Sequence, residues 1–162
     1  MKFSTKSRYG LMAMLDLALN SESGPITALA IARRHGISLL YLEQLFNRLK
    51  KRGLIKSVRG PHGGYILAKE PGELKLGEIL ETLDGSLAPV FCLEDKPDGV
   101  KCKRVELCVP RVVWKKIEDS VRKVLDSTSL GDLCMLERKL PGRRNIIEKG
   151  GQKWCRSLTV RR

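Results

Sequence analysis

The stretch that decides the fold is residues 28–69, ALAIARRHGISLLYLEQLFNRLKKRGLIKSVRGPHGGYILAK. Thr27 caps a short helix over ALAIARRH, and Gly36 ends it by allowing a left-handed backbone. One residue, Ile37, separates that glycine from Ser38, the next capping candidate. A third helix, LLYLEQLFNRLKKR, then runs to Gly53. Leu39, Leu42, Leu45, Phe46 and Leu49 recur at helical spacing and are expected to pack inward. Leu40, Tyr41, Glu43, Gln44, Asn47 and Arg48 are left on or near the outer face. Two helices joined by a tight glycine turn, the second basic at its far end, form a helix-turn-helix pattern. An ordinary helical hairpin with a solvated basic face would show the same periodicity.

Two β-prone runs, LIKSV and YILAK, follow around RGPHGG, a turn dense in glycine and proline. A hairpin placed directly after a helix-turn-helix makes a winged helix, with Arg59 and His62 at a thin tip. Glycines there permit close approach to a phosphate backbone, and an arginine can enter a narrow minor groove. A purely structural hairpin explains the glycines but not the arginine at the tip.

Working outward, Ser4 or Thr5 caps a first helix reaching about Asn20, with Tyr9, Met12, Leu15 and Leu19 on one stripe. Its basic start and apolar run resemble a signal peptide, but Asp16 interrupts the run and no small-residue cleavage pattern follows, so a buried helix is expected. A helix from about Leu76 to Leu83 comes after the wing. Pro110 suits the first turn of a long amphipathic helix, RVVWKKIEDSVRKVLDS. There Val113, Ile117, Val121 and Val124 share one side, with Trp114 and Leu125 beside them. The stripe is longer than so small a domain can cover, which points to a homodimer helix; docking on its own domain is the alternative. The fold expected is mainly α with a small β-hairpin wing. It divides into a winged head over 1–85, a cysteine loop over 86–109, a dimerisation helix and short helix over 110–136, and a basic tail over 137–162.

The formal net charge is +13 across 162 residues, which suits a polyanionic partner such as double-stranded DNA. Nine Lys or Arg against two Glu put +7 of it in residues 137–162, which leaves +6 for residues 1–136. No run approaches the roughly 18 apolar residues of a membrane span, so a cytoplasmic chain without a membrane partner is expected. In that compartment thiols stay reduced and bind metals more often than they pair, and an odd total of five cysteines argues against a disulfide framework. Cys92, Cys102 and Cys108 lie in FCLEDKPDGVKCKRVELCVPR, a polar segment with no core to bury them. Read from the residues alone, that loop suits a cluster, a zinc ion or plain redox thiols; Lys101, Lys103 and Arg104 favour the thiolate form. No catalytic set or phosphate-cradling motif is present, so no enzyme is expected.

Residues 4–25, STKSRYGLMAMLDLALNSESGP, residues 36–67, GISLLYLEQLFNRLKKRGLIKSVRGPHGGYIL, and the three cysteines before the long helix together carry a resemblance. The chain resembles the iron–sulfur cluster regulator (IscR-like) family of winged-helix transcription factors over residues 1 to about 135, including SLGDL near Leu130. The resemblance implies a homodimer on palindromic promoter operators. Residues 38–51, from Ser38 to Lys51, would be the recognition helix, with Tyr41, Glu43 and Gln44 toward bases and Arg59 in the minor groove. Glu43 would discriminate between operator classes; the alternative is a surface glutamate paired with a neighbouring Lys or Arg. The resemblance further implies an iron–sulfur cluster on Cys92, Cys102 and Cys108, 2Fe–2S by family habit, with cluster-assembly scaffold proteins as partners. The chain departs from that pattern where a fourth ligand belongs. Arg111 stands three residues after the last cysteine in place of a histidine, and Arg8 stands where one branch uses a carboxylate. Glu106, Asp95, Asp98, Cys134, Cys155 or an external group would have to complete the set, which favours a labile cluster and leaves 4Fe–4S open. The rivals are a cluster-free regulator reading thiol oxidation or zinc, and an iron–sulfur carrier that does not bind DNA.

Overall fold

The computed structural model describes residues 3–20, 22, 24–94, 102 and 104–140. Asp95, Asp98, Lys101, Lys103, Cys155 and most of the basic tail lie outside them. The elements in chain order are α1 (Thr5–Leu19), α2 (Ala28–His35), α3 (Leu39–Lys51), β1 (Ile55–Val58), β2 (Gly64–Leu67), α4 (Leu76–Asp84), α5 (Val109–Ser127) and α6 (Leu130–Lys139), with a 3-10 turn at Phe91–Leu93 between α4 and α5.

Local chemistry sets these boundaries. Ser4, Thr27, Ser38 and Ser129 each turn a side-chain oxygen onto the backbone N–H groups that open α1, α2, α3 and α6, each worth about 1 kcal/mol. Asp132 completes a reciprocal capping box with Ser129. Gly36 closes α2 at φ +62, the left-handed geometry its sequence position calls for. β1 and β2 pair antiparallel with Ile55 opposite Leu67 and Val58 opposite Gly64. Ile26 bridges Tyr65 on the far side of β2, giving and taking backbone hydrogen bonds of 3.0 and 2.8 Å. A Cβ on Gly64 would lie 2.5 Å from the Ile26 backbone, so only glycine allows that approach.

The core is aliphatic around Phe46, Met14, Leu17, Ile31, Leu42, Leu45, Leu49, Ile79 and Leu83. α1 differs from the sequence expectation. Its buried face is Gly10, Ala13, Met14, Leu17 and Ala18, while Tyr9, Met12, Leu15 and Leu19 are half-buried. The reason is a close crossing with α4, where a Cβ on Gly10 would meet Leu83 Cδ1 at 2.3 Å. Small residues belong at such a contact, and a search for large apolar side chains passes over them. Leu39 also departs from its expected inward position, standing partly exposed at the first turn of α3.

Asp16, seen in the sequence only as a break in an apolar run, is 6% exposed. It accepts two hydrogen bonds from Arg34, at 2.9 and 2.7 Å, with His35 Nε2 at 2.9 Å and Asn20 Nδ2 at 2.9 Å from its carboxylate. A buried carboxylate requires this degree of satisfaction. It ties the end of α2 to α1 and so fixes the platform on which α3 rests.

α6 belongs to the same core rather than to a separate arm. Leu130 and Cys134 are buried in it, and residues 128–131 are stitched to the segment opening α4 by Leu76 N to Thr128 O (3.0 Å), Leu130 N to Leu74 O (2.8 Å) and Gly131 N to Pro71 O (2.9 Å). α5 thereby returns to the head at its C-terminal end.

Candidate nucleic-acid interface and thiol loop

α3 has three kinds of surface. At 100° per residue, Leu40, Gln44, Asn47 and Lys51 share the outward arc opposite the buried Leu42, Leu45, Phe46 and Leu49. All four outward residues are exposed, Leu40 to 68%. Leu40 is thus a large apolar side chain held in water on a face otherwise polar or basic. The two flanks are anchored. On the wing side, Lys50 Nζ reaches Ser57 Oγ at 3.5 Å, and Phe46 packs against Tyr65 with ring centroids 4.6 Å apart. On the other side, Tyr41 is half-buried edge-on to Tyr9, centroids 6.2 Å apart, and Arg48 Nη1 donates to Leu83 O at 3.3 Å. Glu43 is half-buried on the wing-side flank and Ser38 serves as the N-cap. The structure therefore brings Leu40, Gln44 and Lys51 to one outward face and sets Tyr41 and Arg48 along its edge, each engaged with another element.

The wing tip is exposed from Arg59 to His62. Gly60 has φ +118, and Gly63 N donates to Gly60 O at 2.9 Å, folding the tip tightly. Lys50 and Lys51 lie on α3, Lys56 on β1 and Arg59 at the wing tip, a basic run with no carboxylate in ion-pair range among the described residues. A narrow basic hairpin beside an exposed polar helix matches, in shape and charge, a duplex with its phosphates at the groove edges.

α5 carries the second surface. Arg122 Nη2 meets Glu81 at 2.9 Å, and Gly77 of α4 sits against Leu125 and Asp126. Glu118, which meets Lys115 Nζ at 3.2 Å, is the buried residue of this helix. The opposite face is open. Val109, Val113, Ile117, Ser120 and Val124 fall within an arc of about 80°, and Val113 and Val124 are 56% and 62% exposed. Trp114 and Val121 stand beside this stripe, on the side turned toward α4.

The thiols lie between α4 and α5. Cys92 is in the 3-10 turn, Cys102 in the loop, and Cys108 at the N-cap of α5, where it makes no side-chain capping bond. All three are free and half-buried. Arg111 N donates to Cys108 O at 3.1 Å, and Arg111 Nε is buried without a hydrogen-bond partner. Glu106 is exposed. Cys134 is buried in α6, and burial pushes its thiol pKa up despite the charge of Arg138. The thiols are soft enough donors for an iron–sulfur cluster, but they are not assembled as one. Among the described residues no three His, Cys, Asp or Glu side chains stand together as a metal-holding group. A cation occupies the position three residues after Cys108.

Fold and surfaces together define a winged-helix DNA-binding head carrying an amphipathic arm and a thiol-bearing loop. Residues 3–135 match the Rrf2 family, described as iron-dependent transcriptional regulators, and the chain belongs to that family. It is a DNA-binding regulator and not an enzyme. The transcriptional regulator IscR of Cronobacter sakazakii is 44% identical over 133 residues, 82% of this chain and 80% of that protein. Among solved structures, CymR, the global cysteine regulator of B. subtilis, superposes with a TM-score of 0.70 at 41% identity, covering 84% of this chain and 98% of that one. IscR of T. potens gives 0.69 at 42% identity, covering 86% and 92%. Among the described residues, no helix is long and apolar enough to cross a membrane.

Proposed function

We propose that this chain acts as a homodimeric operator-binding regulator whose input is the chemical state of Cys92, Cys102 and Cys108. The observation that carries the reading is the position of the thiol loop. It leaves the end of α4, which is bonded to α3, and re-enters at the start of α5, whose open apolar face is suited to a second copy. Two copies joined along α5 would present two α3 helices and two wings to successive grooves of a palindrome, with half-sites about one helical turn apart. Leu40, Gln44 and Lys51 would face the groove, with Ser38 and Tyr41 at its entrance and Glu43 on the wing side. A carboxylate such as Glu43 accepts from a cytosine amino group and repels most acceptor edges, which gives it a discriminating role. Arg59 and His62 would follow the adjoining minor groove.

Two chemistries at the loop are supported by different observations. Iron–sulfur ligation is favoured by three soft donors and by the IscR relatives. Thiol oxidation is favoured by the free state of those thiols and by the likeness to CymR, which has been solved in an oxidized form from Staphylococcus aureus. Whichever operates, the loop shifts DNA affinity only by as much as its two states differ in the DNA-competent arrangement.

The test uses a duplex enriched by this protein from a randomised pool. Arg59→Ala is expected to weaken binding about tenfold and to reduce the slope of log affinity against log salt by about 1. Unchanged affinity and slope would remove the wing from the interface. Anaerobic incubation with iron and sulfide, followed by visible spectroscopy and metal counting, separates the two chemistries: a chromophore lost in Cys92→Ala supports ligation, and a colourless protein supports oxidation.

A further inference from the structure

The last turn of α4 is held from three directions. Leu83 is fully buried, and Gly10 of α1 lies so close that a side chain there would strike it. Asp84 accepts from Ser4 N at 2.9 Å and from the Ser4 hydroxyl in a short contact. Ser4 is itself the N-cap of α1, so this carboxylate stands at the positive end of a helix dipole. The carbonyl of Leu83 belongs to the final turn of α4, where carbonyls run out of intrahelical N–H partners, and the guanidinium of Arg48 in α3 donates to it. Gly85, which follows α4 at φ +87, turns the chain out into the segment that carries Cys92.

We infer that Arg48 and Asp84 are positioning residues that join the root of the thiol loop to the recognition helix, so that a change in the loop is felt in how α3 meets DNA. This rests on the reading that the loop thiols govern DNA affinity, and it names the route they use. The sequence alone places Arg48 among the DNA-facing residues. The structure leaves it exposed on the flank of α3 that carries Tyr41, beside the arc centred on Leu40 and Lys51, with one donor on the α4 backbone. Buried Leu83 prevents the α4 terminus from sliding independently of α1. A pull on Gly85 therefore passes to the two polar ties, one ending in α3 and the other at the start of α1, whose Tyr9 abuts Tyr41. Both ends of the exposed face of α3 are thereby tied to the loop root.

The experiment measures affinity for the selected duplex by fluorescence anisotropy, with the protein reduced, oxidised with diamide, and loaded anaerobically with iron and sulfide. The readout is the affinity ratio between states, for wild type, Arg48→Met, Arg48→Lys and Asp84→Asn, with thermal stability followed alongside. Arg48→Met should bring the ratio toward one by about three- to tenfold, the weight of one hydrogen bond. Arg48→Lys, which keeps a donor, should restore most of it, and Asp84→Asn gives the same loss of coupling should the methionine variant not fold. A merely structural residue, or one that contacts DNA directly, would lower affinity equally in every state and leave the ratio intact; that result overturns the inference while sparing the thiol reading. A wild-type ratio of one in all states overturns both.

Discussion

The proposed covering of the open face of α5 by a second copy has a measurable consequence. Val113 and Val124 are 56% and 62% exposed in the isolated chain, and neither contributes to the core. Fully burying a valine is worth roughly 1.5–3 kcal/mol. Covering the remaining half of each side chain therefore contributes about 1 kcal/mol per residue. A twofold interface uses each residue twice, so replacing both valines by serine removes four such contributions, about 4 kcal/mol per dimer. At 1.4 kcal/mol per tenfold, the dimer dissociation constant should rise about a thousandfold. Sedimentation equilibrium over a wide concentration range reads this directly, with circular dichroism confirming that the monomer stays folded. A double variant that dimerises within threefold of wild type would place the dimer interface elsewhere.

Other expectations follow from single sites. Asp16→Ala leaves Arg34 and His35 without their acceptor; because those two retain some contact with water, the loss should be about 2 kcal/mol in urea denaturation rather than the 3–5 of a sealed pair, and a change under 0.5 would contradict the hub. Burial alone would raise the carboxyl pKa of Asp84, but the hydrogen bonds from Ser4, aided by the charge of Lys6, outweigh it and hold the group below its ordinary value. Its stabilisation is then complete above the unfolded pKa of about 3.9 and is lost as pH falls through the lower folded value. The stability gap between wild type and Asp84→Asn should accordingly be flat above about pH 5 and close only in stronger acid; a gap that widens on acidification contradicts the assignment. Cys134, buried and protonated, should alkylate with iodoacetamide well after Cys92, Cys102 and Cys108 when native protein is followed by peptide mass spectrometry.

The parts of this molecule legible in its sequence are those governed by local chemistry. Thr27, Gly36 and Ser38 mark the turn between α2 and α3 because caps act over three or four residues. The wing was readable because a glycine-rich turn between two β-prone runs has few other foldings. The stripe of Tyr9, Leu15 and Leu19 on α1 does flank the core, but the buried Gly10, Ala13 and Ala18 are chosen by the approach of neighbouring elements such as α4, which no periodicity encodes. Helical phase puts Arg48 at the exposed edge of the outer face, but its hydrogen bond to Leu83 O joins residues 35 positions apart, which no local pattern encodes. The role of α6 in the head was equally hidden, since its ties to residues 71–76 are backbone hydrogen bonds that leave no side-chain signature. The thiol loop has no hydrophobic period, and Cys108 makes no side-chain capping bond, so no local pattern encodes how its cysteines are arranged.

The most direct test of the account is one titration. Binding of the selected duplex is measured anaerobically for reduced wild-type protein, for the same protein after diamide or after loading with iron and sulfide, and for Cys92→Ala/Cys102→Ala/Cys108→Ala treated identically. The account predicts that at least one treatment moves wild-type affinity by tenfold or more, and that the triple variant binds with the same affinity throughout. Wild-type affinity that stays constant across all treatments, or a triple variant that still responds, would contradict the claim that these thiols set how the regulator grips DNA.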